Sequence, residues 1–250
     1  MSTVLVAGGT GTLGREVVAA VAAGGHRVRI ASRHPRPAGR SLEHQWSVVD
    51  YRTRAGLADA VRGVDSIVVS TSALRDAAVV RALIDAADPG THLVYISIVG
   101  IDRIPMVYYR HKLAAEEAVV RSGRPWTILR ATQFHQLALL LVAGLAKPPV
   151  MLVPRGLSIQ PVAAADVGRR LAELAVGEPA GRVPDLGGPE VLSITELARA
   201  YLDATGRRRR IVPVRLPGRM MGALAAGCNL APEHADGEQT FAEFLAERFG

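Results

Sequence analysis

Cysteine is all but missing from this 250-residue chain. The single copy, Cys228, excludes an intrachain disulfide, a Cys-only zinc site and a Cys-x-x-Cys redox pair. Aromatic residues make up 4%, which argues against a binding surface built from stacked rings. Lysine is scarce as well: of 30 basic residues only Lys112 and Lys147 are lysines, and the rest are arginines. The net charge of +7 therefore reflects a bias of the whole chain more than a nucleic-acid site. The run Arg207, Arg208, Arg209 and Arg210 follows Gly206 at a helix end and reads as a solvated turn. No helix-turn-helix, zinc-finger or ring-stacking motif accompanies it, so no nucleic-acid partner is expected. No stretch approaches the roughly 18 apolar residues needed to span a bilayer, and no membrane association is expected. The first apolar run is interrupted by Gly8, Gly9, Gly11 and Gly14, unlike a secretory signal, which points to a cytoplasmic protein. The seven histidines include no pair at metal-ligand spacing and no H-E-x-x-H, so no metal site is expected. A hydrolase elbow, G-x-S-x-G, is absent too.

What is present is the composition of a folded domain, 49% hydrophobic and 21% charged. Short β-branched runs at residues 4–6, 28–31, 47–49, 65–70, 92–97 and 126–130 read as strands. Between them lie segments of helical period. In the first, Leu13, Val17, Val18 and Val21 share one face before Gly24 and Gly25 stop the helix. The others fall near residues 53–62, 74–87 and 108–121. Such alternation predicts right-handed βαβ units and a doubly wound, Rossmann-type parallel α/β sheet covered on both faces. After residue 133 the rhythm changes. A short apolar helix at 137–145 ends at Lys147, Pro148 and Pro149, a strand-and-helix unit follows near 158–176, and helices are expected at 193–205, 217–228 and 238–248. The expected organisation is a dinucleotide-binding domain over 1–133, with returning elements near 154–188. A small, mostly helical substrate lobe would comprise 134–153 and 189–250.

The strongest local signal is Gly8, Gly9, Thr10, Gly11, Thr12, Leu13 and Gly14, between the first strand and the first helix. It satisfies both G-x-x-G-x-x-G and G-x-G-x-x-G. Glycines let the chain turn tightly, let backbone approach a pyrophosphate, and let helix and strand pack closely. The helix N-terminus then offers its free N–H groups to the phosphates. Residues 8 and 10–14 are therefore expected to bind a dinucleotide. The second strand leads into Arg33, with Arg36 nearby and no acid to hydrogen-bond a ribose. A guanidinium there suits the 2′-phosphate of NADP, so NADP(H) is expected over NAD(H).

Together with Gly63-Val64-Asp65, the stretch from Tyr95 to Gly100, and Lys112 with Glu116, this loop resembles the atypical short-chain dehydrogenase/reductase superfamily, in its NmrA-like, NAD(P)H-binding branch. The resemblance implies that Asp50 and Tyr51 lie near the adenine and that Ser70, Thr71 and Ser72 line the cofactor groove. Ala131, Thr132, Gln133 and Phe134 would then sit beside the nicotinamide. Catalytic members use Ser, Tyr and Lys, with Tyr four residues before Lys. Tyr108 and Lys112 have that spacing, which places them on one helical face, and Ser97 stands near the carboxyl end of its strand. An adjacent ammonium would favour ionisation of the phenol, and Lys112 would also bind the cofactor by hydrogen-bonding the nicotinamide ribose. Alternatively Lys112 pairs with Glu116, and the proton comes from Tyr109, His135 or water. The branch contains NADPH-dependent reductases of quinones, carbonyls and enones, and also silent redox sensors that dock on a protein partner. The expected function is an NADPH-dependent oxidoreductase acting on a small, largely apolar carbonyl or quinone-like compound. The alternatives are a sensor of the NmrA-like kind and a sugar-nucleotide epimerase or dehydratase.

Overall fold

β1 (Thr3–Ala7) and β4 (Ser66–Val69) are runs of β-branched and apolar residues, and both are buried along most of their length. Strands covered on both faces belong at the centre of a parallel sheet. A computed structural model, which describes residues 1–37, 44–71 and 76–250, places them there. The sheet has seven strands. Around β1 and β4 they comprise β2 (Arg27–Ser32), β3 (Gln45–Val48), β5 (His92–Ile98), β6 (Trp126–Ala131) and the two-residue β9 (Gly181–Arg182). Their order is β3-β2-β1-β4-β5-β6-β9, with the order reversing beside β1. The pairings of β1 with β2 and β4, of β2 with β3, of β4 with β5 and of β6 with β9 are all parallel.

The chain divides into two compact units, each built from three stretches. The first holds Met1–Ser97, Arg110–Leu129 and Val167–Val183. Its helices include α1 (Thr12–Ala23), α2 (Leu57–Val61), α3 (Asp76–Ala86) and most of α4 (Val107–Val120). α1 buries Leu13, Val17, Val18 and Val21, the face expected from their spacing. The core gathers Leu5, Ile67, Leu83, Leu93, Tyr95 and Ile128.

The second unit, Ile98–Tyr109, Arg130–Asp166 and Pro184–Gly250, carries α5 (His135–Leu145), α7 (Ile194–Thr205), α8 (Arg219–Ala225) and α9 (Phe241–Phe249). α7 and α9 both open with a reciprocal capping box, Ser193 with Glu196 and Thr240 with Glu243. This unit holds more strand than expected. β7 (Val150–Pro154) pairs in parallel with β11 (Arg210–Val214), and β8 (Ser158–Ile159) pairs antiparallel with β10 (Leu192–Ser193). α6 (Ala164–Val176) begins in the second unit and ends in the first. α2 is shorter than the ten residues expected, for a local reason. The Asp50 carboxylate accepts the backbone N–H of Arg52 at 2.8 Å and of Thr53 at 3.3 Å, which ties residues 50–53 into a turn. Arg54 and Gly56 then adopt positive φ, 64° and 71°, so no helix forms before Leu57. Among the described residues no helix is long and apolar enough to cross a membrane.

Candidate functional site

In the first unit the carboxyl ends of four parallel strands converge, the usual place for a ligand in an open α/β sheet. Gly8, Thr10 and Gly11 follow β1, Arg33 follows β2, Asp50, Tyr51 and Arg52 follow β3, and Ser70 and Thr71 follow β4. With Ala31, Ser32 and Val79 these residues line a groove of about 620 Å3. Gly8 has φ +87°, and a Cβ there would lie 3.1 Å from the backbone of Ser70. The Gly11 N–H donates to the Gly8 carbonyl at 2.9 Å, closing a tight turn. Gly11 is also the N-cap of α1 and supplies no side-chain acceptor, so first-turn N–H groups of the helix lack a capping side chain. A Cβ on Gly11 would meet only the Gly8 carbonyl oxygen, at 3.3 Å. Gly14 differs: its Cβ would lie 2.0 Å from that same oxygen. One glycine keeps a face open, and the other lets helix and loop touch. Thr12, Leu13 and Gly14 are not among the lining residues; Leu13 and Gly14 lie on the buried face of α1.

Asp50 is the only acid among the described lining residues, and its carboxylate is turned to the backbone of Arg52 and Thr53. Those hydrogen bonds hold its pKa below the usual carboxylate value. Two guanidinium groups, Arg33 and Arg52, stand in the same groove. The Tyr51 hydroxyl is buried and has no partner among the described residues, and burial pushes its pKa up. Ser70 donates its hydroxyl to the Ala7 carbonyl at 2.9 Å. Ser72 lies outside the described residues.

A buried polar cluster joins this groove through Thr71, whose hydroxyl donates to Asp76 Oδ1 at 3.1 Å. The Lys112 ammonium on α4 donates to Asp76 Oδ2 at 2.9 Å and to the Ile96 carbonyl at 2.9 Å, and it lies 4.4 Å from the centroid of the Tyr95 ring. Burial pulls the Lys112 pKa down, and Asp76 and then Glu116 oppose the shift. The partner in this ion pair is thus Asp76, which sequence spacing gave no reason to choose. Ser97, the residue after Ile96, is 2% exposed, and its hydroxyl has no partner among the described residues.

Tyr108 stands half-buried on the first turn of α4, its ring centroid 6.2 Å from that of Tyr109. Tyr109 is buried, which raises the pKa of its phenol. In the second unit, Gln133 is engaged at both ends of its amide, by Asn229 O at 3.1 Å and Gln160 N at 3.3 Å. Thr132 is buried and accepts the Gly188 N–H at 3.3 Å. Phe134 is the N-cap of α5 and bridges to Val162. His135 faces the Gln239 carbonyl at 3.0 Å through Nε2, so that nitrogen carries the proton, and its ring stacks on Phe244. Its Nδ1 is buried and has no partner among the described residues.

Residues 8–138 match the profile of a family described as NAD(P)H-binding. The chain belongs to this family. Among its relatives, (4-alkanoyl-5-oxo-2,5-dihydrofuran-3-yl)methyl phosphate reductase of Streptomyces griseus is 32% identical over 216 residues, covering 83% of this chain and 75% of that protein. An NAD(P)H azoreductase of Xenophilus azovorans is 29% identical over 224 residues, with 85% and 77% covered. The NADPH complex of a quinone oxidoreductase from Escherichia coli superposes with TM-score 0.81 at 18% identity, covering 99% of this chain and 100% of that one. A Citrobacter triphenylmethane reductase with NADP(H) gives 0.76 at 16% identity, with 98% and 99% covered. At such identities the likeness is one of fold. It agrees with the short-chain reductase resemblance read from the glycine loop and from the stretch around Ser97 and Lys112.

The residues present fit the family's cofactor. A pyrophosphate needs close backbone and free N–H donors, and the open side of Gly11 at the uncapped start of α1 supplies both. A 2′-phosphate needs cations, and Arg33 and Arg52 supply them; Asp50, the only acid among the described lining residues, is hydrogen-bonded to the backbone of Arg52 and Thr53 and also feels the Arg52 charge. Arg52 and Ser32 were missed in the sequence. The position of Arg52, directly after Asp50 and Tyr51 at the end of β3, was the available signal.

Proposed function

We propose that this NAD(P)H-binding protein is an NADPH-dependent oxidoreductase that reduces a small, largely apolar carbonyl or quinone-like compound, and that it prefers NADP(H) to NAD(H). The observation that carries the reading is the groove at the ends of β1 to β4, lined by open glycine backbone and by Arg33 and Arg52, with Asp50 the only acid among the described lining residues. Two relatives named as reductases support the class of reaction. When bound, the cofactor supplies a hydride. The chain's own part begins with grip: Gly8, Thr10 and Gly11 hold the pyrophosphate, Arg33 and Arg52 the 2′-phosphate, and Ser70 and Thr71 flank the path between. Lys112, kept as an ammonium by Asp76, lends positive charge at the carboxyl end of β5, where the Ser97 hydroxyl, which has no partner among the described residues, orients a substrate oxygen. Tyr108, one turn before Lys112 on α4, gives the proton.

The test is NADPH oxidation followed by absorbance across a panel of quinones, enones and ketones. Turnover of at least one class, faster with NADPH than NADH, is expected. Tight NADPH binding with no turnover of any panel member would reject the oxidoreductase reading in favour of a redox sensor. Equal use of NADH would reject the NADP(H) preference.

A further inference from the structure

Asp76 has no exposed surface, although it opens α3. A carboxylate so far from water costs several kcal/mol unless both of its oxygens are met by donors. Here Oδ1 accepts the Thr71 hydroxyl at 3.1 Å, and Oδ2 accepts the Lys112 ammonium at 2.9 Å and the Tyr95 phenol at 3.4 Å. Packing alone does not call for such a group. Replacing a buried ion pair with apolar residues of like volume is often neutral or stabilising. What the carboxylate does is connect. Thr71 lines the groove, and Lys112 bonds the carbonyl of Ile96, next to Ser97.

We propose that Asp76 is a positioning residue: its carboxylate fixes Thr71 against the cofactor groove and holds Lys112, as an ammonium, at the carboxyl end of β5. The inference rests on the proposed NADP(H) reading of the groove. Charged and titratable groups meet Lys112 from three elements: Asp76 on α3, Tyr95 on β5 and Glu116 on its own helix. Burial works against the lysine charge, and Asp76 is the strongest of the groups that sustain it. Without the carboxylate, Lys112 would give up its proton at lower pH and Thr71 would lose its anchor.

The scarcity of lysine makes this directly observable. Lys112 is buried and Lys147 exposed, so labelling lysine with carbon-13 at Cε gives a two-line NMR spectrum. In Asp76→Asn, the Lys112 midpoint is expected to move down by about one pH unit or more, with Lys147 unmoved. The NADPH dissociation constant is expected to rise about three- to tenfold, and kcat to fall at a lower pH on the alkaline side than in wild type. Thr71→Val, which loosens the carboxylate from the groove side, should raise the same constant by a similar factor. Adding Asp76→Asn to Thr71→Val should then weaken binding little further. An unmoved Lys112 midpoint overturns the proposal. So does a moved midpoint with unchanged NADPH affinity and an unchanged pH profile, because the pair would then be structural only. If Asp76→Asn does not fold, unchanged affinity in Thr71→Val overturns it instead. Failure of the wild type to bind NADPH would sink the reading of the groove, and it is seen before any variant is made.

Discussion

Two glycines of one loop should answer the same substitution in opposite ways. At Gly14 a Cβ would sit 2.0 Å from the Gly8 carbonyl oxygen, 2.7 Å from its carbon and 2.8 Å from Gly9 Cα. All three are backbone atoms, so no side chain can swing aside. Contact distance for carbon and oxygen is about 3.3–3.6 Å, so α1 and the loop would have to separate by more than an ångström. Helix propensity alone would favour Ala over Gly by about 0.8–1 kcal/mol. Overpacking at a rigid site costs about 1–3 kcal/mol or more, and the clash wins. Gly14→Ala should therefore lower the melting midpoint by roughly 2–10 °C, and NADPH binding should go with it. At Gly11 the nearest atom to an added Cβ is 3.3 Å away and the rest is open. Its φ of −76° suits any residue. Gly11→Val should melt within about 2 °C of wild type, yet fill the face where the pyrophosphate would lie. Losing even one charge-assisted contact there is worth about 1.5–3 kcal/mol, about ten- to a hundredfold in affinity. Thermal melts by circular dichroism and NADPH titration calorimetry on both variants separate the two effects. A Gly14→Ala protein as stable as wild type, or a Gly11→Val protein that binds NADPH normally, would refute the division of labour between these glycines.

Arg33→Ala and Arg52→Ala should each weaken NADPH by about ten- to a hundredfold and leave NADH nearly unchanged; calorimetry showing equal losses for both cofactors would remove that arginine from the 2′-phosphate site. Tyr108→Phe should leave NADPH binding intact and lower kcat by about 10²–10⁴; a variant within threefold of wild type would move the proton donor to Tyr109 or water. Burial of His92 lowers its pKa below the ordinary 6.5. Below that value the unfolded chain takes up the proton first, so stability should be full above about pH 6.5 and decline on acidification toward the lowered pKa. Urea midpoints for wild type and His92→Gln at pH 5 and 7 check this, and equal losses in both proteins would count against His92 as the source.

The first unit could be read from the sequence because its signals are local. Leu13, Val17, Val18 and Val21 repeat at the helical period and are buried as a set. The glycine loop sits where a β-to-α turn must, and it supplies Gly8, Thr10 and Gly11 to the groove. What escaped the reading depends on distance along the chain or on very short elements. Lys112 has Glu116 one turn away, but its hydrogen-bonded partner, Asp76, is 36 residues off, a separation no helical spacing rule addresses. Arg210 ends a run of four arginines that looks like solvated turn, yet it opens β11, whose pairing with β7 is set by residues sixty positions upstream. β9 and β10 are two residues each, too short for alternation to register. α2 lost its first turn to the positive φ of Arg54, and nothing in an arginine announces that conformation.

The seventh strand has a consequence for how the protein comes off the ribosome. β6 ends at Ala131, but the strand that covers its outer edge, at Thr127 and Ile128, is Gly181–Arg182. The helix before that strand also seats Gly168 tightly against Glu16 on α1. Until the intervening chain has been made, the sheet carries β6, with Trp126, Ile128 and Leu129, as an open edge, the kind of edge that recruits other strands. At roughly 5–20 residues per second the exposure lasts a few seconds per molecule. A fragment cut after residue 133 would keep that edge permanently, so aggregation rather than a small soluble cofactor-binding piece is the expected product of such a truncation.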